Sequence, residues 1–174
     1  MIKINSPTLA TDLAARVGCY DIGTWLVELA DALFLKPEVV VPQSTSTPNL
    51  IDLPESGISL TLSYSENLPS DVIGFNRLLI ADVVFTQNWL LPWPFGIQAN
   101  TATPESVALL LGVNTSGLQV RDLEIGDLRQ TYFLADGRAV GITWQAGLLG
   151  FSKMHLCRLG MPLDYSTQQQ FQIL

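Results

Sequence analysis

A chain of 174 residues with 48% hydrophobic and 14% charged content is not a disordered one. At this length a fold buries roughly 70% of its unfolded surface, enough for one sizeable core. The formal net charge is −7, and Lys3, Lys36 and Lys153 are the only lysines. With no basic run, a nucleic-acid partner is disfavoured, because phosphate binding needs clustered cations. The apolar stretches fall well short of a membrane span, so no membrane partner is expected.

A mean hydropathy of +0.30 with so few charges leaves two readings open. Either some surface is apolar and serves a partner or a homodimer, or a compact core sits under a Ser/Thr/Gln-rich surface. The acidity suits a basic partner, through complementary potential, and equally suits plain solubility. Cys19 and Cys157 form no CxxC pair, which points to free thiols in a reducing cytoplasm. The first residues show no basic stretch followed by an apolar one, so no signal peptide is read and a cytoplasmic location is expected.

Along the chain, Ser6 and Pro7 predict a helix start, as cap and first-turn proline. Leu9, Leu13 and Val17 continue it at four-residue spacing, and Gly18 stops it. A second helix is predicted from Thr24 to Phe34, with Trp25, Leu26, Leu29, Ala30 and Leu33 as its apolar stripe and Lys36-Pro37 as its end. The two read as a helical hairpin. Residues 42–54 read as a loop and a possible boundary between a helical part, 1–41, and a sheet part, 55–174, of a single α+β domain.

Strands are expected at 58–65, where apolar and Ser/Thr residues alternate, and at 78–86. Trp89 to Ile97 contains two prolines and a glycine, which preclude regular structure. Thr103-Pro104-Glu105 opens a helix over 104–111, with Val107, Leu110 and Leu111 inward and Gly112 as its stop. Residues 128–135 and 138–146 flank Asp136-Gly137, a strong hairpin signal. A last strand comes at 150–159, and the tail from Pro162 reads as polar and frayed. The order of helices, strands, one helix and an antiparallel meander defines an α+β fold.

Chemistry-bearing residues are sparse. His155 is the only histidine, so a His-rich metal site is ruled out within one chain. Period two places His155 with Lys153 and Cys157 on one face of the last strand. An enzyme built on His155 and Cys157 would need an exposed, activated thiol; the alternative is a structural histidine. Asp122, Glu124 and Asp127 form an acidic segment, a solvated loop or a contact for a basic partner. The absence of GxGxxG and GxxxxGK[ST] leaves no phosphate cradle, and no cofactor is expected. Trp89, Trp93 and Phe95 crowd one proline-rich loop. They either plug the core or anchor a partner, since tryptophan is enriched at interface hot spots.

The run Leu91-Pro92-Trp93-Pro94-Phe95-Gly96-Ile97, then Thr103 and Val107, then Leu110-Leu111-Gly112, resembles a pattern of the form LPFGL…(S/T)xxxVxxxLG. The Asp136-Gly137 hairpin comes at a fitting distance beyond it. This is similar to small bacterial immunity-type proteins, the pyocin-immunity-like group. Outer-membrane assembly lipoproteins of the BLIP-like kind carry similar helix-then-meander units, but with a signal peptide and lipid-attachment cysteine. The resemblance spans residues 90–160, with Trp93-Pro94 inserted between Pro92 and Phe95. It implies a cytoplasmic protein that binds and blocks a cognate toxin. A basic toxin would be met best by an acidic patch with aromatic anchors, which makes Trp89, Trp93, Phe95, Asp122, Glu124 and Asp127 the expected partner-binding residues of a non-catalytic protein. A secretion chaperone or adaptor for an effector protein is the alternative.

Overall fold

The computed structural model describes residues 8–20, 22–40, 49–66, 68–113, 121–123 and 127–164. Helix α1 runs Leu9–Arg16, strand β1 Cys19–Tyr20, helix α2 Gly23–Ala32 and the one-turn helix α3 Pro37–Val40. Strands β2 (Asn49–Leu53), β3 (Ile58–Tyr64) and β4 (Leu78–Thr86) come next, then helix α4 (Pro104–Leu110). Strands β5 (Arg121–Leu123), β6 (Asp127–Phe133), β7 (Arg138–Trp144), β8 (Phe151–Arg158) and β9 (Leu163–Asp164) complete the order. The seven-stranded antiparallel sheet has the order β2-β3-β4-β8-β7-β6-β5, and β1 pairs with β9 in a separate two-stranded parallel piece. The expected α+β architecture, its five strands and the helix at 104–111 are present.

Several boundaries differ from the sequence reading, each for a local reason. The expected helix opening at Ser6 and Pro7 lies outside the described residues. The second helix ends at Ala32 rather than Phe34, because Phe34 turns left-handed at φ +55°. The Leu35 N–H then donates back to the Ala30 carbonyl at 2.9 Å, a Schellman-type end. Pro37 therefore does not stop α2; it starts α3, at a first-turn position that needs no N–H. The loop expected over 42–54 ends earlier. Asn49–Leu53 pairs antiparallel with β3, while 41–48 lie outside the described residues. The tail also departs from expectation, since Leu163–Asp164 pairs with Cys19–Tyr20. These short strands have too few residues to show a period.

Strand β4 serves two partners. Its register with β3 slips after Thr61, leaving Ala81 as an extra residue between Ile80 and Asp82. Beyond this bulge Asp82 to Thr86 pair with β8. Before it, Ile80 bridges to Val17, and the Gly18 N–H donates to the Ile80 carbonyl at 2.7 Å. A bulge is the usual device for re-aiming one strand. Gly18, at φ +72°, lies against the Arg158 side chain, so both its backbone angle and the space there demand glycine.

Buried side chains of α1 and α2, the inner face of the sheet and α4 form one continuous cluster, including Leu13, Leu26, Leu29, Leu60, Ile80, Phe85, Val107, Val140, Met154 and Leu156. Helix α4 has the expected cap: the Thr103 hydroxyl accepts from the Ser106 N–H at 3.3 Å, and Ser106 Oγ accepts from the Thr103 N–H at 2.9 Å. Its inward face is Val107 and Ala108 with Leu111 partly covered, not Leu110, which is exposed. Positions 104, 108 and 111 follow the helical stripe, and 110 falls off it. Under α4 the Gln130 Oε1 accepts from the Tyr132 hydroxyl at 2.7 Å and the Trp144 indole at 3.2 Å, so this buried amide oxygen is satisfied.

The turn between β6 and β7 is a type I turn closed by Gly137 at φ +84°. The Gly137 N–H donates to the Leu134 carbonyl at 3.1 Å and the Leu134 N–H to the Arg138 carbonyl at 2.9 Å. Asp-Gly thus forms a three-residue loop with a bulge rather than the tighter two-residue one. Arg138, first residue of β7, is 5% exposed and bonded to Asp136, itself 8% exposed. Arg138 Nη1 also donates to the Ala14 carbonyl at 2.6 Å. Ala14 lies in the last turn of α1, where carbonyls lack helical partners, so this arginine fastens the hairpin to the helix.

Cys19 sits fully buried in β1, and burial pushes its thiol from 9.0 up to about 11, against the opposing fields of Arg158 and Arg138. A raised thiol pKa means the fold favours the neutral form. This contribution to stability is complete below pH 9.0, the ordinary value, and is lost as pH climbs toward about 11. Melting wild type and Cys19→Ala at about pH 8 and about pH 11 should show the larger drop in wild type. Equal drops would mean that the thiol does not titrate this way.

A candidate binding face on the open side of the sheet

Alternation along the strands sends one set of residues to the core and the other outward. On β8, Met154 and Leu156 are buried while Lys153, His155 and Cys157 point the other way, as the sequence predicts. Register then assembles an outer face. Thr61, Asp82, Cys157 and Ala139 form one cross-strand row. Val84, His155, Gly141 and Thr131 form the next. Thr86, Lys153, Thr143 and Arg129 form a third. The threonines, Asp82, Val84 and His155 stay half-buried and Lys153 is exposed, so the centre of the sheet is left partly open on this side.

A polar network crosses this face. The Thr61 hydroxyl donates to Asp82 Oδ1 at 3.1 Å. Asp82 Oδ1 lies 3.8 Å from His155 Nε2. Arg129 Nη2 lies 3.3 Å from His155 Nδ1. A guanidinium can only donate, so Nδ1 accepts and the neutral ring carries its proton on Nε2, facing Asp82. Gly141 lets this happen, because a Cβ there would meet the Arg129 guanidinium at 3.1 Å. Nδ1 is thereby engaged, and Nε2 faces the Asp82 carboxylate at 3.8 Å, beyond direct hydrogen-bond distance. The Thr61 hydroxyl is directed to the carboxylate, not to the histidine. Burial, with Asp82 adding to it and Arg129 opposing, pushes the Cys157 thiol up, which holds it protonated and weakly nucleophilic. Among the described residues, this network orients a histidine and leaves the Cys157 thiol unactivated.

The aromatic loop packs inward. Trp89 is buried, edge-on to Phe85 at 5.0 Å between ring centroids, and its indole N–H donates to the Pro92 carbonyl at 3.2 Å. Trp93 is half-buried between Phe85 at 6.0 Å and Phe151 at 4.9 Å. Phe95, at φ +60° in a short 3-10 turn over Pro94–Gly96, lies 5.6 Å beneath the Arg138 guanidinium. Of the two readings for these rings, their contacts are those of core packing; Leu90 between them is the side chain that reaches solvent, at 93% exposure.

The acidic segment is not a loop throughout: Asp122 stands on β5 and Asp127 opens β6, with Leu123 paired to Asp127. Glu124 lies outside the described residues. The sequence could not bring Asp82 or Arg129 to His155, because their meeting depends on a register set across three strands. Among the described residues, no group of three or more His, Cys, Asp or Glu side chains is placed to hold a metal ion. No helix of the described residues is long and apolar enough to cross a membrane.

No family model and no curated protein matches the chain. Among solved structures it is similar to a DUF4309 family protein, YjgB, from Bacillus subtilis subsp. subtilis str. 168. Identity is 10% and the TM-score 0.36, over 86% of this chain and 97% of that one. A likeness this distant carries no argument about function.

Proposed function

We propose that this chain is a non-catalytic interaction protein that presents the open face of its sheet to a protein partner. The observation that carries the reading is a half-exposed sheet centre crossed by the Thr61–Asp82–His155–Arg129 network. Exposed Phe133 stands at one end of β6, in register with Ala139. A partly open face with a polar pattern and an exposed aromatic at its rim fits the anatomy of an interface. The resemblance over residues 90–160 makes a cognate bacterial toxin the first partner class, and a secreted effector the second.

The test is affinity capture from the source cells with the full chain, beside the variants Val84→Gln and Phe133→Ser. The captured protein should then be purified and titrated. The expected result is at least about tenfold weaker binding for both variants, as for interface anchors. A purified partner that binds both variants as tightly as wild type would mean that this face is not the interface.

A further inference from the structure

The chain carries 16 acidic and 9 basic residues, yet one cross-strand row of the outer sheet face holds cations and no carboxylate. Most of the other basic groups are committed elsewhere. Arg138 is bound to Asp136, Arg16 lies 4.0 Å from Asp12, and Arg77 donates to the carbonyls of Ser65, Val72 and Glu66. Lys153 and Arg129, by contrast, share the cross-strand row Thr86–Lys153–Thr143–Arg129. The next position of that row, on β5, is Arg121. His155 stands one row away, held by Arg129. Among the described side chains, no carboxylate lies within ion-pair distance of Lys153 or Arg129. By register three carboxylate positions share this face: Asp52 on β2 at the end of the His155 row, Asp127 on β6 two residues before Arg129, and Asp82, four residues along β4 from Thr86, roughly 13 Å at the rise of a strand, which faces His155 and Thr61.

We infer that the Lys153–Arg129 row is the contact position for an acidic segment of the partner protein, its carboxylates lying along the row with Thr143 as a neutral hydrogen-bonding group between the cations and Thr86 as another at the row's end. Strand rows are about 4.8 Å apart between neighbours, so Lys153 and Arg129, two strands apart, are spaced roughly 10 Å. That span is reached by carboxylates two to three residues apart on an extended peptide. Arg129 is held in place by His155 and by the space over Gly141, so little of its freedom is lost when a carboxylate binds. The overall charge of −7 acts at long range and sets which partners approach. The row acts at contact and sets which segment is gripped. A partner that is basic overall still meets this face through its acidic segment.

This inference rests on the reading of the open face as the interface, and the test separates the two. A decaglutamate peptide is titrated into the isotopically labelled full chain and followed by backbone amide shifts. Shifts should centre on residues 129–131, 141–143 and 153–155, weaken as salt is raised, and need at least about tenfold more peptide in Lys153→Glu and in Arg129→Gln. Each variant's amide spectrum away from the face should match wild type, which shows that it is folded. The inference is overturned if decaglutamate shifts nothing or shifts another surface. It is also overturned if Lys153→Glu binds as wild type does, or if inorganic phosphate at equal charge reproduces the same shifts. If a purified partner is weakened by Val84→Gln but not by Lys153→Glu or Arg129→Gln, the acidic-segment inference fails and the interface reading stands. If none of these variants weakens it, both fail.

Discussion

Arg138→Met should destabilise the protein by about 3–5 kcal/mol, the usual cost of removing one member of a buried ion pair. Three contacts hold Asp136 to this arginine: Nη2 to Oδ2 at 2.6 Å, Nε to Oδ2 at 2.8 Å, and the Arg138 backbone N–H to Oδ1 at 3.0 Å. With the guanidinium gone, the carboxylate is left in a site that excludes water, the Ala14 carbonyl loses its donor, and Phe95 loses the cation above its ring. Each of these is a penalty on the folded state and none on the unfolded one. Urea denaturation of wild type, Arg138→Met, Asp136→Asn and the double variant is the measurement. The double variant should be clearly more stable than the sum of the two single losses predicts, because the second change removes the charge that the first one strands. A loss below about 1 kcal/mol for Arg138→Met would mean that the pair is solvated and the tie between hairpin and α1 unimportant.

Within the aromatic loop, adjacent residues should behave oppositely. Trp89→Ala should lose about 3–5 kcal/mol, as for a large side chain removed from a packed core. Its ring fills space against Phe85, and the loop backbone at Asn88 and Trp89 is pressed against Gly57. Trp93→Ala should also lower the melting temperature, by less, since that ring is half-exposed while its edge packs on Phe151. Leu90→Ala should stay within about 0.5 kcal/mol of wild type, as exposed positions do. Melting the three variants side by side decides whether the loop is a plug or an anchor. Wild-type stability in Trp89→Ala would return that residue to the surface as a binding candidate.

Much of the architecture was legible in the sequence because it rests on local rules. Ile58 to Tyr64 alternate in chemistry as they alternate in space, Thr103-Pro104 carries its cap in its own side chain, and Gly137 occupies the left-handed position that its hairpin requires. The parts that were not legible are those set by distant partners. Asn49–Leu53 has no strong pattern, and it becomes a strand because β3 offers it an edge. Arg138 reads as an ordinary charge after a turn. The signal that marks it lies immediately beyond it in the strand, where Ala139, Val140, Gly141 and Ile142 carry no polar side chain to either face. A cation at the head of such a strand must take a partner with it into the interior. His155 was placed correctly on its face, with Lys153 and Cys157, yet its neighbours come from β4 and β6, and no spacing along the chain announces them.

The pairing of β1 with β9 brings together Cys19 and Leu163, near opposite ends of the described chain. Closing so long a loop is opposed by chain entropy until the sheet and α1 have already shortened the path. The pair is therefore expected to form late, once the sheet and α1 are in place. Contacts made that late govern how fast a protein comes apart rather than how fast it assembles. The N–H of Leu163, bonded to the Gly18 carbonyl at 3.2 Å, is in this sense a latch: weakening it is expected to speed unfolding and to leave the folding rate unchanged.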